Sequence, residues 1–239
     1  MSASERPLAV VPSWSWAALG LGLAAQITLQ ALRPLPATAA EDLPPAPRAA
    51  ALRAASLGEP AAAARLAMLY VQAFDLGAGN ALPYRQLDYA RLRGWLRAAL
   101  DTDPRSDYPL FAAARIYAEV DDPARCRVML DFVHEAFLEN PNARWPWLAQ
   151  AALLAKHRLR DLPLARRYAA DLQRQASDPR MPLWARQMEI FVAEDMNELE
   201  AAKIMLGGLL ESGKLDDPDE RRFLKGRLEE LERRIASKR

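Results

Sequence analysis

NPNARWPWLAQAALLAKHRLRDLPLARRYAADLQRQASDP, residues 140–179, holds one complete period of this chain. It opens on Asn140-Pro141 and ends on Asp178-Pro179, and between them Ala, Leu and Arg recur at helical spacing without alternating β-branched residues. The same punctuation falls at Asp103-Pro104 and Asp217-Pro218, so that Pro104, Pro141, Pro179 and Pro218 stand 37, 38 and 39 residues apart. Such spacing signals a repeat. A second marker, Pro109, Pro146 and Pro182, recurs after 37 and 36 residues and leads the pairs Leu110-Phe111, Trp147-Leu148 and Leu183-Trp184. Proline in the first helical turn sacrifices no hydrogen bond, so each reads as a helix start. A third marker lies mid-period at Asp122-Pro123-Ala124, Asp161-Leu162-Pro163 and Asn197-Glu198-Leu199, where a capping side chain precedes helix formers.

Together the markers predict an all-α chain of helix–turn–helix units, with helix A over 109–120, 146–160 and 182–196 and helix B over 123–139, 162–176 and 198–212. An earlier, incomplete pair is expected over 46–57 and 60–74, then a loop through Gly77, Gly79 and Pro83 and a helix over 86–100. Residues 219–239 place Phe223, Leu224, Leu228, Leu231 and Ile235 on one stripe of a charged helix, the pattern of a cap on a stacked array.

Trp147, Ala151 and Ala155, followed by Ala165, Tyr168, Leu172 and Pro179, resemble the tetratricopeptide repeat: an aromatic early in helix A, small residues where the helices cross, and a proline after helix B. Trp184 with Ala201, Met205 and Leu209 fits next. The resemblance covers 85–218 within a repeat domain of 48–218, and its units run 36 to 39 residues instead of about 34. It implies a short α-solenoid that binds a protein or peptide along a concave face lined by helix A. Arg115, Lys156 and Arg186 fall on that face, a mildly basic groove suited to an acidic or carboxyl-terminal peptide. Arg144 and Trp145, just ahead of a predicted helix, are a further expected contact, because interface anchors are enriched in Trp and Arg.

Ahead of the repeats the chain changes character. After a short tail, 1–13, residues 14–33 carry no charge until Arg33, and WSWAALGLGLAAQITLQAL is long enough to span a bilayer as one transmembrane helix. Trp14 and Trp16 sit where interfacial aromatics belong, and Gly22, Gln26 and Gln30 form a small-and-polar stripe suited to packing on another membrane helix. Ala37-Thr38-Ala39 offers a signal-peptide cleavage site, but Arg33 intervenes and the apolar run is long, which favours a retained anchor. A short tail before a single span points to a bacterial inner-membrane protein with its bulk in the periplasm, the cytoplasmic orientation being the alternative. Residues 34–47, rich in Pro and Ala, read as an extended linker.

Chemistry has little to work with. Lys plus Arg 32 against Asp plus Glu 31 leaves +1, no field for nucleic acid. Cys126 is the only cysteine, and His134 and His157 are the only histidines. His134 with Asp131 and Glu135 is a weak metal locus on what reads as a solvated helix face, and Cys126 between Arg125 and Arg127 reads as a packing residue. Glu194-Asp195 and Glu229-Glu230 are adjacent and diverge around a helix, the wrong geometry for paired acid–base work. There is no GxGxxG, P-loop, GxSxG or HExxH. The expectation is a membrane-anchored adaptor without enzyme activity, cofactor or metal. The alternatives are a self-assembling structural protein that forms homo-oligomers and an enzyme-associated subunit.

Overall fold

The computed structural model describes residues 12–32, 42–76, 84–211 and 217–237. Most of the expected tail, residues 33–41 of the anchor end and linker, the Gly77, Gly79 and Pro83 loop and the side chain of Gln30 lie outside them. The chain divides into two units, Met1–Glu41 and Asp42–Arg239.

The first unit contributes α1 (Ser13–Leu32), helical where the apolar run predicts a helix. Its side chains, Trp14, Trp16, Leu19, Leu21, Leu23 and Ile27 among them, are exposed. Among the described residues, however, no helix is long and apolar enough to cross a membrane. Polar Ser13, Ser15, Gln26, Thr28 and Gln30 dilute α1, and the Thr28 hydroxyl is already turned back onto the Ala24 carbonyl at 2.8 Å.

The second unit contains α2 (Ala49–Ala55), α3 (Pro60–Leu76), α4 (Tyr89–Thr102), α5 (Tyr108–Arg115), α6 (Pro123–Glu139), α7 (Pro141–His157), α8 (Leu162–Gln175), α9 (Leu183–Arg186), α10 (Met188–Asp195), α11 (Leu199–Glu211) and α12 (Pro218–Ala236), with no strand among the described residues. Each helix packs on the next, and α4 also meets α6, α5 meets α7, and α8 meets α10, so the helix pairs stack as in a solenoid. Asx side chains start the helices as the sequence predicts: the Asp122 carboxylate accepts from the Ala124 and Arg125 amides, Asp161 from Leu164, and Asp217 from Asp219.

Helix A differs from expectation in all three units. In the first it stops at Arg115 and continues as a 3-10 turn, Tyr117–Glu119. In the second it begins at Pro141, capped by Asn140, so Pro146 lies inside α7 and not at its start. Pro146 is solvent-facing there, and the amide it lacks leaves only one carbonyl of the exposed first turns unpaired. In the third, Gln187 divides the helix into α9 and α10. Asn197 ends α10 at φ 63, the Glu198 amide donating back to the Ala193 carbonyl at 2.9 Å. Arg160 ends α7 the same way at φ 53, with the Asp161 amide on the Ala155 carbonyl at 2.9 Å. Left-handed backbone disfavours any residue with a Cβ. Arg160→Gly is therefore expected to stabilise the unit by about 0.5–1 kcal/mol, read as a raised urea midpoint with unchanged slope.

The earlier pair is shorter than expected at its start. The helix expected over 46–57 is confined to α2, and the residues before it form an extended strap docked on α4. Leu43 is buried, the Trp95 indole N–H donates to the Pro44 carbonyl at 2.7 Å, and the Arg91 guanidinium donates to the Leu43 carbonyl at 3.0 Å. The strap runs so close that a Cβ on Gly94 would stand 3.3 Å from the Cβ of Ala46. The second half of the proline-rich segment is thus structure, not free tether.

One core runs from Leu43 to Val192, and a second, built on Ile190, Ala193, Leu199, Ala202, Leu206, Leu224 and Leu231, seats α12. The expected cap stripe is divided: Leu224 and Leu231 are buried, Leu228 and Ile235 pack beside them, and Phe223 points to solvent.

Candidate interaction surface

Helix A of the first two units presents aromatic side chains in register. Tyr108 and Phe111 stack at 6.3 Å, and Phe111 meets Trp147 of the next unit edge-on at 6.0 Å. The Trp147 indole N–H donates to the Asp107 carboxylate at 3.2 Å, and the Gln72 amide of α3 donates to the Tyr108 hydroxyl. Trp184, on α9, occupies the corresponding place in the third unit. Phe111, Trp147 and Trp184 are 36 and 37 residues apart, and Phe111 and Trp184 stay 40% and 51% exposed. An aromatic thus recurs once per unit, and at Phe111 and Trp184 it stays in water, a residue class enriched among binding hot spots.

The five residues expected to meet a partner are placed differently from one another. Arg144 is buried in the α6–α7 joint, its guanidinium donating to the Ala136 carbonyl at 2.7 Å and to Glu139 at 3.0 Å. Trp145 is half-buried against the core, and its indole adds slightly to the pull by which Arg180 holds the Asp178 carboxyl low. Lys156 pairs with Asp195 across units. Arg186 donates to the Asp178 carbonyl at 3.1 Å, while its Nε is buried without a hydrogen-bond partner. Arg115 alone is exposed and outside any ion pair among the described residues. The row of cations expected on this face is therefore largely occupied within the fold. The sequence marked Phe111 as a companion of a helix-start proline and Trp184 also as a repeat aromatic, although their common spacing was the available signal for a surface.

Two clefts flank the stack. One of about 520 Å³, between the end of α8, α9 and α11, is lined by Arg174, Ser177, Met181, Leu183, Arg186 and Leu209. The other, of about 440 Å³, is lined by Glu119, Asp121, His157, Arg158 and Arg160 where α7 ends. In it Arg158 is held by the Val120 carbonyl at 2.9 Å and by Glu119 and Asp121 at 3.0 Å.

The nearest approach to a catalytic arrangement lies between α6 and α8. His134 Nε2 meets the Asp171 carboxylate at 2.8 Å, its ring lies 4.8 Å from that of Tyr168, and the Tyr168 hydroxyl donates to Asp131 at 3.0 Å. Burial pushes the Asp171 carboxyl up, and hydrogen bonds from Arg174 and His134 outweigh it, holding the group below the ordinary carboxylate range. Burial, reinforced by Asp131, raises the Tyr168 hydroxyl. The cluster joins α6 to α8, and neither of the two clefts above includes His134, Asp171 or Tyr168. Burial pushes the Cys126 thiol up to about 11, which keeps it protonated and unreactive at neutral pH. Among the described residues no three His, Cys, Asp or Glu side chains are grouped to hold a metal ion.

Compared with protein-family models, with curated proteins and with solved structures, the chain has no match in any of the three.

Proposed function

We propose that the chain is a membrane-anchored, tetratricopeptide-like adaptor that binds a protein or peptide partner and supports assembly of a membrane or envelope complex. The observation that carries this reading is the aromatic row of Phe111, Trp147 and Trp184, which recurs with the repeat and is open to solvent at Phe111 and Trp184, Trp147 being half-buried against the core. Its function is binding, with no catalytic step and no cofactor. The membrane part draws on α1, twenty residues without a charged side chain and exposed along the side chains described. A mostly apolar helix without a charge is stabilised by lipid, and a single pass through a bacterial inner membrane with the repeats in the periplasm is the arrangement proposed. Such attachment raises the local concentration of partners in the same membrane, so a modest affinity suffices.

The test is crosslinking of tagged full-length protein in the native host, extraction in mild detergent and quantitative mass spectrometry, with Phe111→Ala and Trp184→Ala alongside. Each variant is expected to weaken capture of one reproducible partner by about 2 kcal/mol, the loss typical of an anchor residue. Recovery of this chain alone would favour self-assembly, and a partner retained equally by both variants would remove the aromatic row from the interface.

A further inference from the structure

Arg186 is the exception in the way this fold treats positive charge. Among the described residues, every other buried or half-buried Lys or Arg, from Arg93 on α4 to Arg234 on α12, forms an ion pair with a carboxylate. Arg186 is half-buried and forms none among them. Its one hydrogen bond there runs from Nη2 to the backbone carbonyl of Asp178 at 3.1 Å, and its Nε is buried without an acceptor. The neighbouring carboxylates are engaged elsewhere. Asp171 receives Arg174 at 2.8 Å, and Glu189, three residues on, stands 4.0 Å from Arg166. The Asp178 side chain accepts from Arg180, which is 87% exposed and needs no counter-charge. A charge withdrawn from water without a counter-charge costs stability, and one neutral carbonyl offsets little of that cost.

The Arg186 guanidinium lines the cleft of about 520 Å³ where the end of α8, α9 and α11 meet. That volume is within the range of small-molecule sites, about 300–1,000 Å³. The apolar walls come from both cores: Ala176 and Met181 belong to the first, and Leu183 and Leu209 pack on the second. The charged side chains in the lining are Arg174 and Arg186. Arg174 has its carboxylate in Asp171, so the cleft holds one unmatched positive charge against apolar walls. A neutral apolar molecule would leave that charge unmatched, and an inorganic ion would leave the walls unused. A monoanion with a short apolar body satisfies both, and the planar guanidinium favours a carboxylate. A peptide's carboxyl end is a poorer occupant, because it brings main-chain amides that need partners. Beyond the two arginines the polar side chains in the lining are Gln173 and Ser177, and the Ser177 hydroxyl already donates to Asn142 at 3.4 Å.

We infer that this cleft binds a small aliphatic monocarboxylate, with Arg186 as its counter-ion and Ala176, Met181, Leu183 and Leu209 around its chain. The inference does not depend on the adaptor reading. Because the walls belong to both cores, an occupant ties α11 to α8 and α9.

The test is isothermal titration calorimetry on the full-length protein in mild detergent. Hexanoate is expected to bind saturably with a Kd on the order of 0.1–1 mM, as befits so small a ligand, and to raise the urea midpoint by mass action. Hexan-1-ol, which has the same chain without the charge, and inorganic phosphate are each expected to bind about tenfold more weakly or worse. Arg186→Met should lose hexanoate binding by about tenfold or more, Arg186→Lys should retain it within about fivefold, and Arg115→Met, an exposed cation outside the cleft, should leave it unchanged. In the absence of hexanoate, Arg186→Met is expected to raise the urea midpoint, since an unmatched charge gives way to an apolar side chain of similar length, and the same transition shows that the variant is folded. A lowered midpoint would mean that the arginine is held for the fold and would overturn the inference. So would the absence of saturable hexanoate binding, equal binding of hexanoate and hexan-1-ol, or equal binding by wild type and Arg186→Met. Tighter binding of acetyl-alanyl-leucine than of hexanoate would overturn the small-molecule occupant in favour of a peptide end.

Discussion

Arg227→Met is expected to destabilise the chain by about 3 kcal/mol and to release α12 before the rest of the stack unfolds. Glu194, on α10, is 5% exposed and almost wholly enclosed by the cap. Its carboxylate takes two hydrogen bonds from the Arg227 guanidinium of α12, while Arg234 stands off at 3.9 Å. Removing one partner of a buried ion pair leaves the other desolvated and unpaired, at a penalty of about 3–5 kcal/mol. The lower end applies because Arg227 is partly exposed and also pairs with Glu230 at 3.0 Å, and because Arg234 remains to compensate in part. Arg227→Met with Glu194→Gln should recover a large share of the loss, since no buried charge is then stranded. Urea unfolding followed by circular dichroism, with limited proteolysis near the α11–α12 connection, reads both effects. An Arg227→Met protein with an unchanged midpoint would show that the second core alone holds α12.

The helical period was legible because Asx-Pro steps and Ala-rich runs act locally. Asp122, Asp161 and Asp217 cap helices by hydrogen bonds within three residues of themselves, and a local interaction is read from local sequence. The starts and stops of helix A were harder, because they depend on neighbours. Pro146 is as good a first-turn residue as Pro141, and only the Asn140 cap and the buried Arg144, seated on the Ala136 carbonyl, place the start at the earlier proline. Arg160 and Asn197 adopt left-handed backbone with none of the glycine that usually announces it. The docked strap was illegible for the same reason, since Pro44 meets Trp95 fifty-one residues later.

The candidate surface was read at the level of residue type and misread in its charges. Helix A was expected to line the binding face, and Phe111 and Trp147 meet there. Lys156, Arg144 and Arg186 looked available because sequence alone does not show which carboxylates or carbonyls stand opposite, and in the fold Asp195, Ala136 and Asp178 do. Polar contacts recur at one period, as in Asp131 with Tyr168 and His134 with Asp171, so charge in this chain largely joins one unit to the next. In the proposed adaptor the exposed aromatics would carry recognition.

That division of labour makes Tyr168 the second position where a single change should have a large effect. The side chain is fully buried on α8, lies tilted 4.8 Å from the His134 ring and reaches Asp131, both on α6 of the preceding unit. Tyr168→Ala removes an aromatic ring from a packed joint and is expected to destabilise by about 3–5 kcal/mol. Tyr168→Phe keeps the ring and removes only the hydroxyl, leaving Asp131 with Arg167 at 3.9 Å, and is expected to lose about 1 kcal/mol. The ratio between the two separates packing from hydrogen bonding. It also bears on the array as a whole, because in a stacked repeat each unit is supported chiefly by its neighbours. Loosening α6 from α8 should therefore divide one cooperative unfolding transition into two, a fluorescence change from Trp95 and one from Trp184 that no longer coincide. Coincident transitions in Tyr168→Ala, with the midpoint lowered as expected, would mean that the continuous core from Leu43 to Val192 couples the units without this joint.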